Sequence, residues 1–377
     1  MCLMLTVWTA KANDGVFFVN GNHLVPIHEE QIDLSKEVLT ICIGDDGFAR
    51  VDVQYELTNR GDAKTVIMGF QALAPYNDEA PLNKQGIHPY IYDFTVVMNN
   101  APLPFSNAVV GSVYGEHTDF MPLDLERWKA ENEAELPEGG WLATDALYNA
   151  QMDSVVRFSY AYYFKADFKP GKNTVHHTYR YRMSYGVQRA FEVPYWLTPA
   201  MRWGNKQIDD FTLRIEVPNT AKHFIIPDLL FSASTFNVTK GNGKVRKTTL
   251  WDTPYVEIAL RDGAVEWHSD NFKPEKDITI TSADMLLASN TQTFLVGMFY
   301  DRSDNYIPSN FLQVSQSPKD VKRILLNLPY ASRGYVFKDR KLRTYFSQMW
   351  WYMPDPAYKE STADFTAREW RLINDGE

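Results

Sequence analysis

From Glu37 onward the chain alternates apolar and polar positions in short runs broken by turn residues. In "EVLTICIGDDGFARVDVQYELTN" two β-rich runs are joined by Asp-Asp-Gly, and Asp-Gly supplies the positive φ that a tight hairpin needs. The second run puts Val51, Val53, Tyr55 and Leu57 on one face and Arg50, Asp52, Gln54 and Glu56 on the other. That is the period of a half-buried antiparallel strand. "AKTVIMGFQA" and "YIYDFTVVMNNAPLPF" read the same way, with Asn-Asn as a turn before the proline break. Strand patterning resumes after Asp153 and continues through "SVVRFSYAYYFKADF", "NTVHHTYRYRMSYGV", "DDFTLRIEVPN", "FNVTKGNGKVRKTTLW" with Gly-Asn-Gly as a hairpin turn, "YVEIALRDGAVEWHS" and "DITITSAD". Many short strands with turn signals and no βαβ rhythm predict β-sandwich architecture.

Two segments break this rhythm. Residues 122–153, rich in Glu, Ala and Leu and interrupted by Pro137, predict a helical insertion between strands. After Ser317 the period changes for good. Ser317 caps, Pro318 occupies the first turn, and "KDVKRILLNL" carries Val321, Ile324, Leu325 and Leu328 at helical spacing. Gly334 ends that element, and "KDRKLRTYF" opens another with Leu342, Tyr345 and Phe346 on one side. "STADFTAREWRLIND" offers Phe365, Trp370 and Ile373 to a core. The predicted class is α+β: a mainly β N-terminal region of one or two sandwich-like domains, then a small α-helical C-terminal module. The expected parts are 13–203, 204–302 and 318–377.

Composition narrows the partners. A net charge of -9 argues against nucleic acid, whose phosphates require a basic face. Only Cys2 and Cys42 are present, too few for a disulfide framework or a thiolate metal site. "MCLMLTVWTAKA" is a short apolar run ending in small-x-small form, which predicts a truncated signal peptide over 1–12 and an exported chain, periplasmic or surface-displayed. No apolar stretch has the length of a transmembrane helix.

The run "YASRGYVFKDRKLRTYFSQMWWYMPDPAY" resembles the YARHG domain, a small helical module of exported bacterial proteins. The matching residues are Tyr330, Ala331, Gly334, Tyr335, Phe337, Leu342, Phe346, Trp351, Tyr352 and Pro354. Ser332 takes the family's Arg position and Arg333 its His position, so a role peculiar to that histidine is absent here. The β-rich region more loosely resembles the uncharacterised part that precedes this module in Bacteroidetes-type exported proteins. The resemblance implies an envelope location and a binding or structural role, and it supplies no catalytic residues.

Candidate interaction residues are therefore Tyr330, Arg333, Tyr335, Trp350, Trp351 and Tyr352, with a core role as the competing reading for the aromatics. Arg333 could clamp a carboxylate bidentately, within the chain or on a ligand. His176 and His177 are adjacent in a strand and face opposite sides, so they cannot share an ion. No metal-binding, nucleophile-elbow or phosphate-loop motif occurs, and no metal or cofactor is expected. The expected function is a non-enzymatic binding or structural protein of the bacterial envelope, with peptidoglycan, another wall glycan or an envelope protein as partner. The alternative is a glycan or peptidoglycan hydrolase using paired carboxylates, for which Glu126, Glu131 and Glu133 are candidates. Self-assembly through an exposed sheet edge is a third reading.

Overall fold

The computed structural model describes residues 12–20, 23–73, 86–113, 120–121, 156–186, 189–228, 230–231, 236–250, 252–283, 299–300, 306–307, 318–365 and 369–370. Its strands form two large sheets. The smaller runs in the order β2 (His23–Ile27), β1 (Ala12–Asn20), β5 (Lys64–Leu73), β10 (Val156–Phe168), β8 (Ser106–Val113), β9 (Phe120–Met121). The larger begins with β12 (Ser184–Gly186), β13 (Arg189–Tyr195), β18 (Ile278–Ser282), β15 (Lys222–Pro227) and β17 (Thr253–Phe272). It continues through β14 (Ile208–Val217), β3 (Ile32–Ile43), β4 (Phe48–Asn59), β11 (Gly171–Arg182), β6 (Ile91–Met98) and β7 (Ala101–Pro102). β16 (Asn237–Leu250) pairs with β17 beside this path, and β19 (Phe299–Tyr300) with β20 (Tyr306–Ile307) makes a separate short ladder.

The two large sheets face each other across an aromatic core. Phe70 of β5 and Tyr162 of β10 meet Phe94 of β6, and Phe70 meets Tyr179 of β11 at 4.5 Å between ring centroids. Val51, Val53, Tyr55 and Leu57 are all buried there, as the alternation of β4 requires. His177 stacks among these rings while His176 reaches out to Asp52 at 2.9 Å, so the adjacent histidines do face opposite sides. Gly47 in the β3–β4 turn has φ +82°, and Asn99 and Asn100 in the β6–β7 turn have φ +49° and +68°. Each carries the residue type that tolerates this region.

Three expectations are corrected. The division near 203/204 does not separate the sheet, because β14 pairs in parallel with β3 and antiparallel with β17, and strands from both sides share one core. The described strands β14 to β18 thus belong to the same sheet as β3 and β4 rather than to a second sandwich. Gly-Asn-Gly is not a hairpin turn. β16 runs straight through it opposite β17, with register shifts around Lys240–Asn242 and Gly241 at φ +67°, so the glycines form a bulge. A side chain on Gly241 would meet the backbone of Asp262 and Gly263. Trp370, offered to the core, is instead 40% exposed. The helical insertion over 122–153, the signal over 1–12 apart from Ala12, and Ile373 lie outside the described residues.

The C-terminal part is helical, with α1 (Pro318–Ser332) and α2 (Arg340–Ser347). Asp339 caps α2 by accepting a hydrogen bond from the Leu342 N–H at 3.0 Å. Leu342, Tyr345 and Phe346 form its buried side. With Ile324, Ala331, Phe337, Met349, Trp351, Tyr352 and Met353 they make a second core, which is separate from the sandwich core and includes Ala259 of β17. A helical pair this small cannot enclose its own apolar surface, and the sheet closes it.

Candidate functional site

β17 is buried on both faces where the helical module lies. In "VEIALR", Val256, Ile258 and Leu260 point into the sandwich core, while Glu257, Ala259 and Arg261 point the other way. Strand geometry assigns successive residues to opposite faces, so an acid, a small residue and a base define the outer surface. The neighbouring strands continue it. His223 of β15 lies opposite Ala259 in register, and Lys244 and Arg246 of β16 lie opposite Ala259 and Glu257.

Glu257 is fully buried and completely engaged. One oxygen accepts from His223 Nε2 at 2.7 Å and from Arg246 Nη2 at 2.9 Å, and the other accepts from Arg246 Nε at 2.6 Å. Burial opposes its charge, but the bonds from His223 and Arg246 outweigh it and hold the carboxyl below its usual range. Burial pushes His223 the other way from a surface histidine, toward the neutral imidazole, against the pull of Glu257. The geometry agrees with that direction. Arg246 already neutralises the carboxylate, and His223 Nδ1 has no hydrogen-bond partner among the described residues, so a second ring proton would be buried without an acceptor.

The helical module seats on this cluster. The Trp350 ring lies 4.4 Å from the Arg246 guanidinium carbon and 5.3 Å from the His223 ring. Lys244 Nζ donates to the carbonyls of Trp350 at 2.9 Å and Tyr352 at 3.2 Å. A second set of contacts fastens the end of α1, whose last carbonyls lack helical partners. The Ala221 N–H donates to the Ser332 carbonyl at 2.8 Å, and Arg261 Nη1 donates to the Arg333 carbonyl. Gly334 follows at φ +87°, and the backbone turns so tightly there that a Cβ would collide with the Arg261 guanidinium.

These positions account for the six candidate interaction residues. Arg333 is buried and turned inward: its guanidinium holds both oxygens of Glu369 at 2.6 and 2.8 Å and the carbonyls of Pro329 and Asp364 at 2.9 and 2.7 Å, over the Phe365 ring. The carboxylate it clamps is its own chain's. Trp351 and Tyr352 are buried in the second core, and the Tyr352 hydroxyl donates to the Tyr335 carbonyl at 2.5 Å. Tyr330, Tyr335 and Trp350 are half-buried at its edge. The cluster is brought together, with Arg333, Trp351 and Tyr352 inside the module, Trp350 at its junction with the sheet, and Tyr330 and Tyr335 at its edge.

Sequence reasoning missed the receiving surface. "KGNGKVRK" reads as a solvated turn, whereas Lys244 and Arg246 belong to a strand under the module. The legible signal was Glu257 and Arg261, four residues apart on one face of the otherwise apolar run from Val256 to Arg261. The outward side of the module carries a different feature, a groove of about 410 Å³ between α1 and α2. Its lining includes Arg323, Arg340 and Lys341 over Ile324, Leu342 and Tyr345. Glu126, Glu131 and Glu133, the hydrolase candidates, lie outside the described residues.

Residues 303–375 match the YARHG domain. The helical module and its inward-facing Tyr-Ala-Ser-Arg-Gly turn fall within that match. No curated protein matches the chain in sequence. Among solved structures, the chain is similar to a "putative nutrient binding protein" of Legionella pneumophila, at 17% identity and a TM-score of 0.46, covering 97% of this chain and 100% of that one. An M1 zinc metallopeptidase of Deinococcus radiodurans matches at 8% identity and a TM-score of 0.25, over 64% of this chain and 43% of its own. Baculovirus P35 matches at 9% identity and a TM-score of 0.27, over 67% and 97%. The chain spans less than half the length of the metallopeptidase.

Proposed function

We propose that this chain is an exported, non-enzymatic binding protein of the bacterial envelope, in which the β-sandwich is a rigid mount and the YARHG domain is the presented module. The supporting observation is the way the module is fastened. Phe337, Tyr345, Phe346, Trp351, Tyr352 and Arg333 face inward, and two polar clusters on β15, β16 and β17 fix its orientation. A module held this firmly presents one face to a partner, and that outer face carries the basic groove between α1 and α2. His223 and Glu257 resemble an acid–base pair in composition, but their side chains are 1% and 0% exposed, so no substrate reaches them. They act as structure. The short apolar run ending at Ala12 and the family's exported context support the location.

The reading is tested by expressing the full chain with its own N-terminus, fractionating the cells, and pelleting the purified chain with envelope fragments and wall sacculi. Recovery outside the cytoplasm and saturable pelleting with one fraction are expected. Retention in the cytoplasm, or no binding to any envelope fraction, would overturn it.

A further inference from the structure

The groove between α1 and α2 carries exposed cations that do not serve the module's own stability. Arg340 and Lys341 open α2, Arg343 follows, and no acidic residue occupies the first turn. The positive end of a helix dipole disfavours cations there, by a few tenths of a kcal/mol to about 1 kcal/mol each. A helix selected only to fold would carry acids at these positions. Arg323 approaches from α1 and pairs with the capping Asp339 at 2.9 Å. Arg340 is exposed and has no hydrogen-bond or ion-pair partner among the described residues. Among the described lining residues none is acidic; Asp339 offsets Arg323 from beside the groove, which leaves Arg340 and Lys341 as its rim cations in a chain of charge -9.

The floor is apolar. Ile324, Leu342 and Tyr345 are each buried to within 6% and close the bottom of the space. The volume of about 410 Å³ suits a side chain or two with adjoining backbone. This combination selects among anionic partners. A glycan would need an open aromatic face for stacking, and Tyr345 presents none, being 5% exposed. A bilayer would need apolar side chains standing out from the surface, whereas these lie at the bottom of a concavity. Single-stranded nucleic acid would again need stacking platforms. An acidic peptide needs what is present: an apolar seat for one aliphatic side chain and cations at the rim for flanking carboxylates.

We infer that the groove lined by Arg323, Arg340 and Lys341 over Ile324, Leu342 and Tyr345 is a docking site for an acidic peptide segment of a partner protein, with an aliphatic residue seated on its floor. This rests on the reading of the chain as an envelope binding protein and names the class of partner. The rim cations steer and orient, so affinity falls with salt, while the floor supplies discrimination between an aliphatic and a polar central residue.

The test uses the full chain and fluorescein-labelled Glu-Glu-Leu-Glu-Glu in anisotropy titrations at low and high salt. Glu-Glu-Ser-Glu-Glu measures charge alone, and phosphatidylglycerol vesicles measure membrane attraction. Binding of the leucine peptide is expected, about fivefold weaker for the serine peptide, consistent with roughly 1 kcal/mol for a partly buried aliphatic group. The double variant Arg340→Glu/Lys341→Glu is expected to lose at least about tenfold, and Lys276→Glu on a distant loop to lose nothing. Melting curves of the variants show whether the exposed substitutions leave the fold intact. If they do not, Arg340→Gln carries the same test with a smaller loss. Equal binding of both peptides, indifference to the rim variants, or binding to vesicles without binding to peptide would overturn the inference. No binding of the leucine peptide by the wild-type chain, alongside its preserved pelleting with envelope, would sink the groove and leave the broader function standing.

Discussion

The ring of Trp350 covers the guanidinium of Arg246, 4.4 Å from its central carbon, while that guanidinium grips the buried carboxylate of Glu257 through two nitrogens. One side chain thus joins a residue of the sheet to a residue of the helical module. The contact is a cation–π pair on the arginine of the Arg246–Glu257 ion pair, whose carboxylate is buried while the Arg246 side chain stays 49% exposed. A double-mutant cycle over Trp350→Ala and Arg246→Ala should give a coupling of about 0.5–2 kcal/mol in unfolding free energy. Additive effects would mean that the ring only packs beside the arginine.

Glu257 is the centre of the junction, and its removal should be felt more strongly. Glu257→Gln keeps the shape but loses the charge that His223 and Arg246 were arranged around. Hydrogen bonds to charged groups are worth about 1.5–3 kcal/mol, and a loss in that range is expected in urea titrations. A neutral result would show that the cluster specifies orientation without adding stability.

The same cluster sets a pH dependence with a definite sign. Glu257 titrates below its usual value of about 4.5 in the folded chain, so its contribution is complete above that value and is lost as pH falls through the folded pKa. His223 is depressed below 6.5 by burial. Above that value it is neutral in both states and contributes nothing; below it the unfolded chain takes up a proton that the folded chain refuses. Both groups therefore destabilise the fold on acidification, with His223 acting first. Stability should begin to fall below about pH 6.5, and His223→Gln should flatten the slope between there and about pH 5 relative to wild type. An unchanged slope would show that the histidine protonates in place.

Gly334 makes a backbone prediction. At φ +87° any other residue is strained, and a methyl group would also strike the Arg261 guanidinium and lie 2.8 Å from the Met353 carbonyl oxygen. Gly334→Ala should cost about 1–3 kcal/mol and should raise protease sensitivity within the helical module before the sandwich. Equal sensitivity of both parts would mean that the junction does not depend on this turn.

How much of this was legible in the chain depends on the range of the interactions. The hairpin at Asp45-Asp46-Gly47, the inward row from Val51 to Leu57, and the buried side of α2 followed from local period and turn chemistry. These are decided within a few residues. The parallel pairing of β14 with β3 joins residues over 170 positions apart (Asp210 with Lys36), and no local pattern encodes it. Gly-Asn-Gly reads equally well as a turn or a bulge, and only the length of β17 opposite decides. The junction was hidden for the same reason. Lys244 and Arg246 carry the signature of solvent, and nothing local shows that the module rests on them.

Arg333 separates a structural role from recognition most sharply. Both of its terminal nitrogens are spent, in four bonds to Glu369, Pro329 and Asp364. Burial works against its charge, but Glu369 outweighs burial and keeps the guanidinium firmly protonated. Arg333→Ala would leave Glu369 with its partner gone, and breaking a buried pair in this way typically costs about 3–5 kcal/mol. Arg333→Lys should recover little, since an ammonium cannot reproduce the fork that meets two carboxylate oxygens and two carbonyls together. The double variant Arg333→Ala/Glu369→Ala should be less destabilised than the sum of the single changes, because no stranded charge remains. A recognition residue would behave differently: its alanine variant would melt like wild type and lose only ligand. Unchanged melting of Arg333→Ala with lost envelope binding would move this arginine from the frame of the module to its working surface.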